Sequence, residues 1–336
     1  MASDENLKAL FHAFSDANDS AFLRAAQAII TDEVAANHHA LATKLQKALR
    51  AQGPMPRNRG VINSLSSLPK DRRNGEDLVA LQNSVVSEDK IVLSGSPRSR
   101  IDRVLEEYRK RSDLAKHGYS PKTKLLFWGP PGCGKTFTAH HVAYELGMPI
   151  GVLRLNAVIS SFLGDTASHL QRVFDMAGNK AMVLLLDEVD AVGKKRDDPN
   201  DIGELKRIVN SLLQAMDAFA SHDSIIIAAS NHQYLLDPAV WRRFDDIVEF
   251  PMPGVPERER YLRLLLNGVT FSGSFSSLAK KMSSVSYADI QRVITEAVKT
   301  MILAGGEAIC ASDIMAQYRL LKRSLSEARG VGCVSR

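Results

Sequence analysis

The spacing of apolar residues changes several times along the 336-residue chain. Up to about residue 50, apolar residues recur at every third or fourth position, which predicts a small helical region. The next stretch is rich in Ser, Asn and Arg and has weak periodicity, so we expect it to be a linker. Strand-like and helix-like patterns then alternate, and helix-like patterns alone follow. The predicted segments are a helical N-terminal region, a linker, an α/β core, a helical C-terminal lid and a tail, at 1–50, 51–96, 97–252, 253–325 and 326–336.

Short apolar runs in the core segment indicate buried strands. Each run is almost continuously apolar, and helical patterns separate it from the next, which is typical of a parallel sheet covered by helices on both faces. The predicted fold class is therefore α/β. The runs lie at 124–128, 150–155, 182–186, 224–229 and 246–250.

The lid segment is predicted to contain helices only, because no strand-like run follows residue 256. Ser286, with Asp289 three residues later, has the side chains of a capping box and predicts the start of one helix. Ser312 predicts the start of another helix.

Composition is ordinary for a globular protein, with 45% hydrophobic and 24% charged residues. No apolar run approaches the roughly 18 residues of a transmembrane helix, and the acidic N-terminus lacks an apolar signal core. We therefore expect no membrane partner. Three cysteines without metal-ligand spacing, Cys133, Cys310 and Cys333, indicate a cytoplasmic location and no disulfide framework.

The formal net charge of +5 permits an acidic partner without requiring one. Eight basic residues and one acidic residue lie between Lys44 and Arg73. This run is either a solvated linker or an electrostatic contact with an acidic partner.

A glycine-rich stretch, GPPGCGKT, separates the first buried strand from a helical pattern. It fits the G-x-x-x-x-G-K-[ST] pattern of a phosphate-binding loop (P-loop) in the strand–loop–helix context that such a loop requires. Its glycines let backbone N–H groups turn toward a phosphate. Lys135 would reach the β- and γ-phosphates of a nucleotide, and the Thr136 hydroxyl can ligate Mg²⁺. The predicted nucleotide-binding residues are Gly129, Pro130, Pro131, Gly132, Cys133, Gly134, Lys135 and Thr136, with Asp187 from a later strand.

Cys133 is open to two interpretations. A thiol at a helix N-terminus can have a lowered pKa and be sensitive to oxidation. Alternatively, Cys133 is a small residue that the loop tolerates.

Polar side chains follow two of the later strands. In MVLLLDEVD, Asp187 would hold Mg²⁺ and Glu188 would orient and deprotonate the attacking water, since two carboxylates closing a buried strand have little structural use. Asp190 is predicted to be a helix cap or a support for the site. In SIIIAASN, Asn231 either holds the attacking water from the side or forms an ordinary turn.

These motifs together resemble the ATPase module of the AAA+ family, over about residues 97–325. GPPGCGKT matches Walker A, LLLDEVD matches Walker B, and AASN matches sensor 1. LLDPAVWRRFDDIVEFPMP resembles the second region of homology in the unfoldase branch, which contains FtsH, spastin and katanin. The resemblance implies a P-loop NTPase fold and a homo-oligomeric ring, usually a hexamer, with ATP bound between subunits.

The resemblance also implies roles for residues outside the nucleotide loop. Arg242 and Arg243 would be arginine fingers that reach the neighbouring subunit's site, or else a surface salt-bridge cluster. Phe162, Leu163 and Gly164 match the pore-loop triplet of unfoldase rings, although Phe162 could instead fold into the core. Residues 193–207 would be a second, charged pore loop or a plain solvated loop. The lid lacks the sensor 2 arginine of many AAA+ branches, as unfoldase relatives commonly do.

Three functions remain open at this point. The resemblance favours an ATPase that remodels or translocates a protein substrate through a ring pore. The basic charge allows a nucleic-acid motor or loader, although no DNA-binding module is evident. A regulatory ATPase acting on a partner enzyme is the third. The sequence contains no HExxH motif, so a protease fed by this motor would be another chain.

Overall fold

The computed structural model describes residues 19–35, 78–84, 86–87, 90–154, 166–192, 199–221, 223–232 and 238–331, together with Lys8 and His38. Its centre is a six-stranded sheet in the spatial order β1-β3-β4-β5-β2-β6. All pairs are parallel except β1–β3. The strands are β1 (Ala80–Gln82), β2 (Lys124–Trp128), β3 (Ile150–Arg154), β4 (Val183–Asp187), β5 (Ile225–Ser230) and β6 (Asp246–Glu249).

Helices cover both faces of this sheet, which confirms the predicted α/β class. In order along the chain they are α1 (Asp19–Ala35), α2 (Gly95–Arg109), α3 (Arg111–Lys116), α4 (Lys135–Glu145), α5 (Thr166–Asn179), α6 (Pro199–Ala218), α7 (Pro238–Trp241), α8 (Val255–Leu265), α9 (Phe275–Lys281), α10 (Tyr287–Leu303) and α11 (Ala311–Val331). A 3₁₀ turn, Val189–Val192, follows β4.

Alternation along each strand explains why the strands are apolar on both sides. In β4, Leu184 and Leu186 pack in the core cluster that contains α5 and α6 residues, whereas Val183 and Leu185 pack in the cluster that contains α2 and α4 residues. Successive side chains of a strand point to opposite faces, so a strand buried on both faces needs apolar residues at every position. The five predicted runs coincide with β2–β6 to within one residue at each end.

The end of the predicted linker belongs to the folded core, which corrects the boundary drawn at residue 96. Ala80–Gln82 pairs with β3 as the antiparallel edge strand. Val79 is fully buried, and Ile91, Val92 and Leu93 are almost fully buried. A three-residue strand is too short to show a period-2 pattern, so sequence spacing could not reveal it. Residues 51–77 lie outside the described residues.

The lid has its own apolar core, built around residues of α8, α9, α10 and α11. The expectation of helices only is wrong, because β7 (Thr270–Ser272) and β8 (Ala308–Cys310) form a two-stranded parallel sheet. The capping box of Ser286 and Asp289 is confirmed at the start of α10.

Two other local predictions differ from the structure. Ser312 lies inside α11 rather than at its cap, and the Cys310 N–H before this helix donates to the Asp313 carboxylate at 3.0 Å. The second predicted pore loop is partly helical, because α6 begins at Pro199, a residue suited to the first helical turn. Residues 193–198 lie outside the described residues.

Within the described parts of the chain, no helix combines the length and apolarity needed to cross a membrane.

Candidate active site

The glycine-rich loop lies between β2 and α4, at the carboxyl edge of the sheet. Gly129, Gly132 and Gly134 all have positive φ values, of 146°, 75° and 94°. A Cβ atom at Gly129 would lie 2.2 Å from the backbone oxygen of Phe250, which follows the neighbouring strand β6. The loop therefore depends on glycine both for its backbone conformation and for its close approach to the sheet.

Replacing Gly129 with alanine should destabilise the protein by about 1–3 kcal/mol from backbone conformation alone, with the Phe250 clash added. Gly178, in α5, is the matched control, because a Cβ there meets no atom within 4 Å and its φ is not positive. Gly178→Ala should be neutral or stabilising by about 0.5–1 kcal/mol. Denaturant unfolding of both variants measures the difference. Equal stabilities would contradict the described loop geometry.

Lys135 is the first residue of α4 and is 7% exposed. Its Nζ donates to the carbonyl oxygens of Gly129 at 2.7 Å and Pro130 at 2.9 Å. Burial lowers the pKa of this amine, and the negative charges of Asp187 and Asp190 partly oppose that effect. Because both hydrogen-bond acceptors are neutral, an anionic group in the loop would be a stronger partner for this buried cation.

Thr136 and Asp187 place two oxygen atoms side by side. The Thr136 hydroxyl donates to Asp187 Oδ2 at 3.3 Å, which links α4 to the end of β4. A hydroxyl and a carboxylate are hard oxygen ligands of the kind that Mg²⁺ takes together with water and phosphate oxygens. The pair therefore fits a magnesium ion, with Thr136 and Asp187 as the residues that could hold it.

Glu188 has a strained backbone. Its φ is 56°, one of two positive values at non-glycine residues in the described chain. The Glu188 N–H donates to the Asp187 side chain at 3.0 Å, at the point where the chain leaves β4. Such conformations at bulky residues are rare and concentrate at functional sites. Here the strain turns an exposed carboxylate to the edge of the cavity beside the loop.

Asn231 follows the last residue of β5 and faces the same cavity. Strands β4, β5 and β2 are neighbours, so the residues after their carboxyl ends converge. The cavity has a volume of about 400 Å³ and lies between the core and the lid. It brings together eight of the residues predicted from sequence: Pro131, Gly132, Gly134, Lys135, Thr136, Asp187, Glu188 and Asn231.

The lid and the connector after β1 supply lining residues that sequence reasoning missed. The rings of Tyr261 and Tyr287 meet edge to face, with centroids 5.1 Å apart, and the Tyr261 hydroxyl donates to Gln291 Oε1 at 3.3 Å. Burial raises the pKa of the Tyr287 hydroxyl, so this side chain stays neutral. Residues 90–93 complete this wall. The tyrosines have the helical spacing of ordinary core positions, so no sequence signal distinguished them.

The lid also contacts the nucleotide loop directly. The Ala288 N–H, in the first turn of α10, donates to the Gly132 carbonyl at 3.2 Å. A Cβ at Gly132 would lie 2.6 Å from the Ser286 hydroxyl oxygen. The loop tip therefore packs tightly against the start of the lid helix.

Cys133 is buried at 2% exposure, with its sulfur 3.7 Å from the Met252 sulfur. Burial raises the pKa of its thiol, in spite of the nearby Lys135 charge. The interpretation of Cys133 as a reactive thiolate with a lowered pKa is therefore wrong, because reactivity requires an accessible thiolate. The structure is consistent with a small residue packed inside the loop.

The remaining predicted residues lie elsewhere. Arg242 and Arg243 follow α7; Arg242 is exposed, and Arg243 pairs with Asp217 of α6 at 3.2 Å. The structure does not bring either arginine into the cavity formed by this chain. Phe162, Leu163 and Gly164 lie outside the described residues.

Comparison with known proteins adds independent evidence. Residues 125–252 match the family described as "ATPase family associated with various cellular activities (AAA)". The uncharacterized AAA family ATPase y4kL of Sinorhizobium fredii is 35% identical over 303 residues, which is 90% of each chain. A proteasome-activating nucleotidase of Sulfurisphaera tokodaii is 32% identical over 69% of this chain and 61% of its own length. The ATP-dependent zinc metalloprotease FtsH of Lancefieldella parvula is 34% identical over 58% of this chain and 31% of its own.

The match over 90% of the S. fredii protein extends well beyond the nucleotide loop and includes most of both the core and the lid. The predicted family is confirmed, and with it nucleotide binding and ATP hydrolysis. The chain belongs to the AAA family of ATPases, with relatives typical of its unfoldase-type branch.

Proposed function

We propose that this ATPase forms a ring, a closed oligomer of identical subunits, and uses ATP hydrolysis to remodel or translocate a protein substrate through the central pore. The observation that carries the ATP-hydrolysis part of the proposal is the cavity between core and lid, where the loop lysine, the two carboxylates after β4 and Asn231 converge. A hexamer is the ring size that the family resemblance implies. The motor would be cytoplasmic, as its cysteine content suggests.

Within this cavity, each group has a distinct proposed role. Lys135 binds the β- and γ-phosphates, and Thr136 and Asp187 hold Mg²⁺, which would neutralise charge on the phosphate oxygens. Glu188 accepts the proton of the attacking water, and Asn231 orients that water. The 3.3 Å contact between Thr136 and Asp187 and the positive φ of Glu188 support these proposed roles.

A protein substrate is supported by the names of the relatives. One is named for activating the proteasome and another is an ATP-dependent metalloprotease. This chain spans 61% and 31% of their lengths. This sequence contains no HExxH motif. We therefore propose that the chain acts on polypeptides, either directly or by delivering them to a partner enzyme.

Phe162→Ala tests the pore proposal. With Leu163 and Gly164, Phe162 matches the substrate-gripping triplet of unfoldase rings. The variant should keep its basal ATPase rate and lose work on a protein substrate, because the grip on the chain is removed. A folded reporter protein with an unstructured tail serves as the substrate, and its loss of fluorescence measures unfolding.

Thermal unfolding of the same preparation provides the control. If Phe162 packs in the core, its truncation costs about 3–5 kcal/mol, so melting temperature and ATPase rate would fall together. That result would reject the pore assignment.

Steeply salt-dependent binding of DNA, with no unfolding of the reporter by the wild-type protein, would instead favour a nucleic-acid motor.

A further inference from the structure

Asp190 is a buried carboxylate that has no role in the proposed reaction described above. It lies in the 3₁₀ turn after β4 and is 3% exposed. Burying a charged carboxylate is costly unless hydrogen-bond donors or opposite charges compensate. A hydrogen-bond donor and an opposite charge both act on Asp190.

The donor is the backbone N–H of Asn231, which lies 3.2 Å from Asp190 Oδ1. The β4–β5 ladder ends at the pair Leu186–Ala228, because the chain turns out of the sheet at Glu188. Asn231 therefore lies beyond the part of β5 that β4 can pair with. The turn brings Asp190 back to this edge, where its carboxylate replaces the missing strand partner.

The opposite charge is that of Lys135. Burial lowers the Lys135 pKa, and the negative charges of Asp187 and Asp190 act against that effect.

The turn after β5 is held from a second side as well. The His232 N–H donates to the Ser230 hydroxyl oxygen at 3.1 Å, and Ser230 is fully buried. The backbone of Asn231 is therefore fixed by Asp190 at its own N–H and by Ser230 at the following residue. A fixed backbone limits the directions in which the Asn231 side chain can point.

We infer that Asp190 is a positioning residue for ATP hydrolysis. Its carboxylate fixes the Asn231 backbone, and so the position of Asn231 relative to Glu188 at the edge of the cavity. It acts through Asn231 and does not itself touch the substrate. The inference rests on the proposed role of Asn231 in orienting the attacking water. Small misplacements of catalytic groups can lower rates by about 100-fold, so loss of this contact should be visible in kcat.

The test compares Asp190→Ala, Asp190→Asn, Asn231→Ala and the double variant Asp190→Ala/Asn231→Ala. We expect Asp190→Ala to lower kcat by about 10- to 100-fold, with KM for MgATP changed by less than about threefold. Asp190→Asn keeps a carbonyl acceptor and should retain most of the activity. The double variant should be no slower than Asn231→Ala, because residues that act as a unit are not additive.

Other outcomes overturn the inference. Asp190→Asn as slow as Asp190→Ala would mean that the charge near Lys135 matters and the Asn231 contact does not. Additive losses in the double variant, or a raised KM with unchanged kcat, would also overturn it. If Asn231→Ala is fully active, the proposed role of Asn231 fails and the inference fails with it. If Asn231→Ala is slow and Asp190→Ala is not, only the inference fails.

Hydrogen exchange keeps the inference testable if Asp190 variants do not fold. In the wild-type protein, the Asn231 amide should exchange slowly, as an amide bonded to a buried acceptor does. Exchange at the rate of an exposed turn amide would show that the Asp190 contact does not persist and would overturn the inference without any substitution.

Discussion

Lys135→Ala should abolish ATP binding, because it removes the one cation that the structure buries inside the glycine-rich loop. The Lys135 amine is already desolvated and held by two neutral carbonyl groups, so little reorganisation is needed for it to meet a phosphate. Lys299→Ala is a matched control, since its exposed amine pairs with Glu296 on the outer side of α10. Isothermal titration with MgATP should detect binding to the control and none to Lys135→Ala.

Glu188→Gln completes this prediction by separating binding from chemistry. The substitution preserves side-chain size and the loop that holds the phosphates, but it removes the proposed base. ATP affinity should stay within a few-fold of the wild-type value, whereas turnover should fall by about 10²–10⁴-fold, the usual contribution of a general base. Hydrolysis at the wild-type rate would show that Glu188 is not the base. The stalled complex also offers a way to identify substrates, as proteins that copurify in the presence of ATP.

How far sequence predicts this fold depends on how each element is buried. Strands β2 to β6 were visible because both of their faces are covered, which requires apolar residues at successive positions. The edge strand β1 and the lid strands β7 and β8 have three residues each; β1 and β7 are exposed at both ends, and β8 is exposed at Ala308. Their pairing is determined by tertiary contacts, so no hydrophobic periodicity in the sequence predicts them.

The same distinction applies to the site. Lys135, Thr136, Asp187 and Asn231 sit at fixed positions relative to strand ends, and neighbouring parallel strands bring those ends together. Tyr261, Tyr287 and Gln291 reach the cavity only because the lid folds over the loop, and sequence spacing carries no information about that docking.

Asp190 shows an intermediate case. Its position after the strand suggested a supporting role, but the contact with the Asn231 N–H depends on the positive φ of Glu188 and on the 3₁₀ turn. Neither feature has a signature in the residue types. The partnership between two motifs that are 41 residues apart becomes apparent only in three dimensions.

The Arg243–Asp217 ion pair bears on the proposed ring. In the single chain, the Arg243 side chain is 31% exposed and the Asp217 side chain 55% exposed, which matches the surface salt-bridge interpretation for Arg243. Exposed pairs of this kind contribute at most about 1 kcal/mol, so the pair could open readily when a stronger anion is near. The same arginine can therefore rest on Asp217 and still serve a neighbouring subunit's γ-phosphate.

Arg243→Ala should therefore lower kcat by about 10³–10⁵-fold, as loss of an arginine finger does in GTPases, while ATP binding persists. Because the arginine would act in trans, mixing Arg243→Ala subunits with Lys135→Ala subunits should restore part of the activity. In a mixed ring, an intact nucleotide loop from the first variant can face an intact Arg243 from the second. The measurement is the ATPase rate as a function of the mixing ratio, with specific activity of the wild-type protein also rising with concentration as rings form.

The control for the mixture replaces the second component with a Lys135→Ala/Arg243→Ala double variant, which supplies no intact arginine and should restore nothing. Asp217→Asn tests the alternative directly. If Arg243 serves only to pair with Asp217, then Asp217→Asn should reduce activity as much as Arg243→Ala, and no mixture should recover. If Arg243 acts on the neighbouring site, Asp217→Asn should leave turnover nearly unchanged, because the substitution removes an exposed ion pair and leaves the arginine in place. A wild-type rate per subunit that is independent of concentration, from a strict monomer, would exclude a shared site.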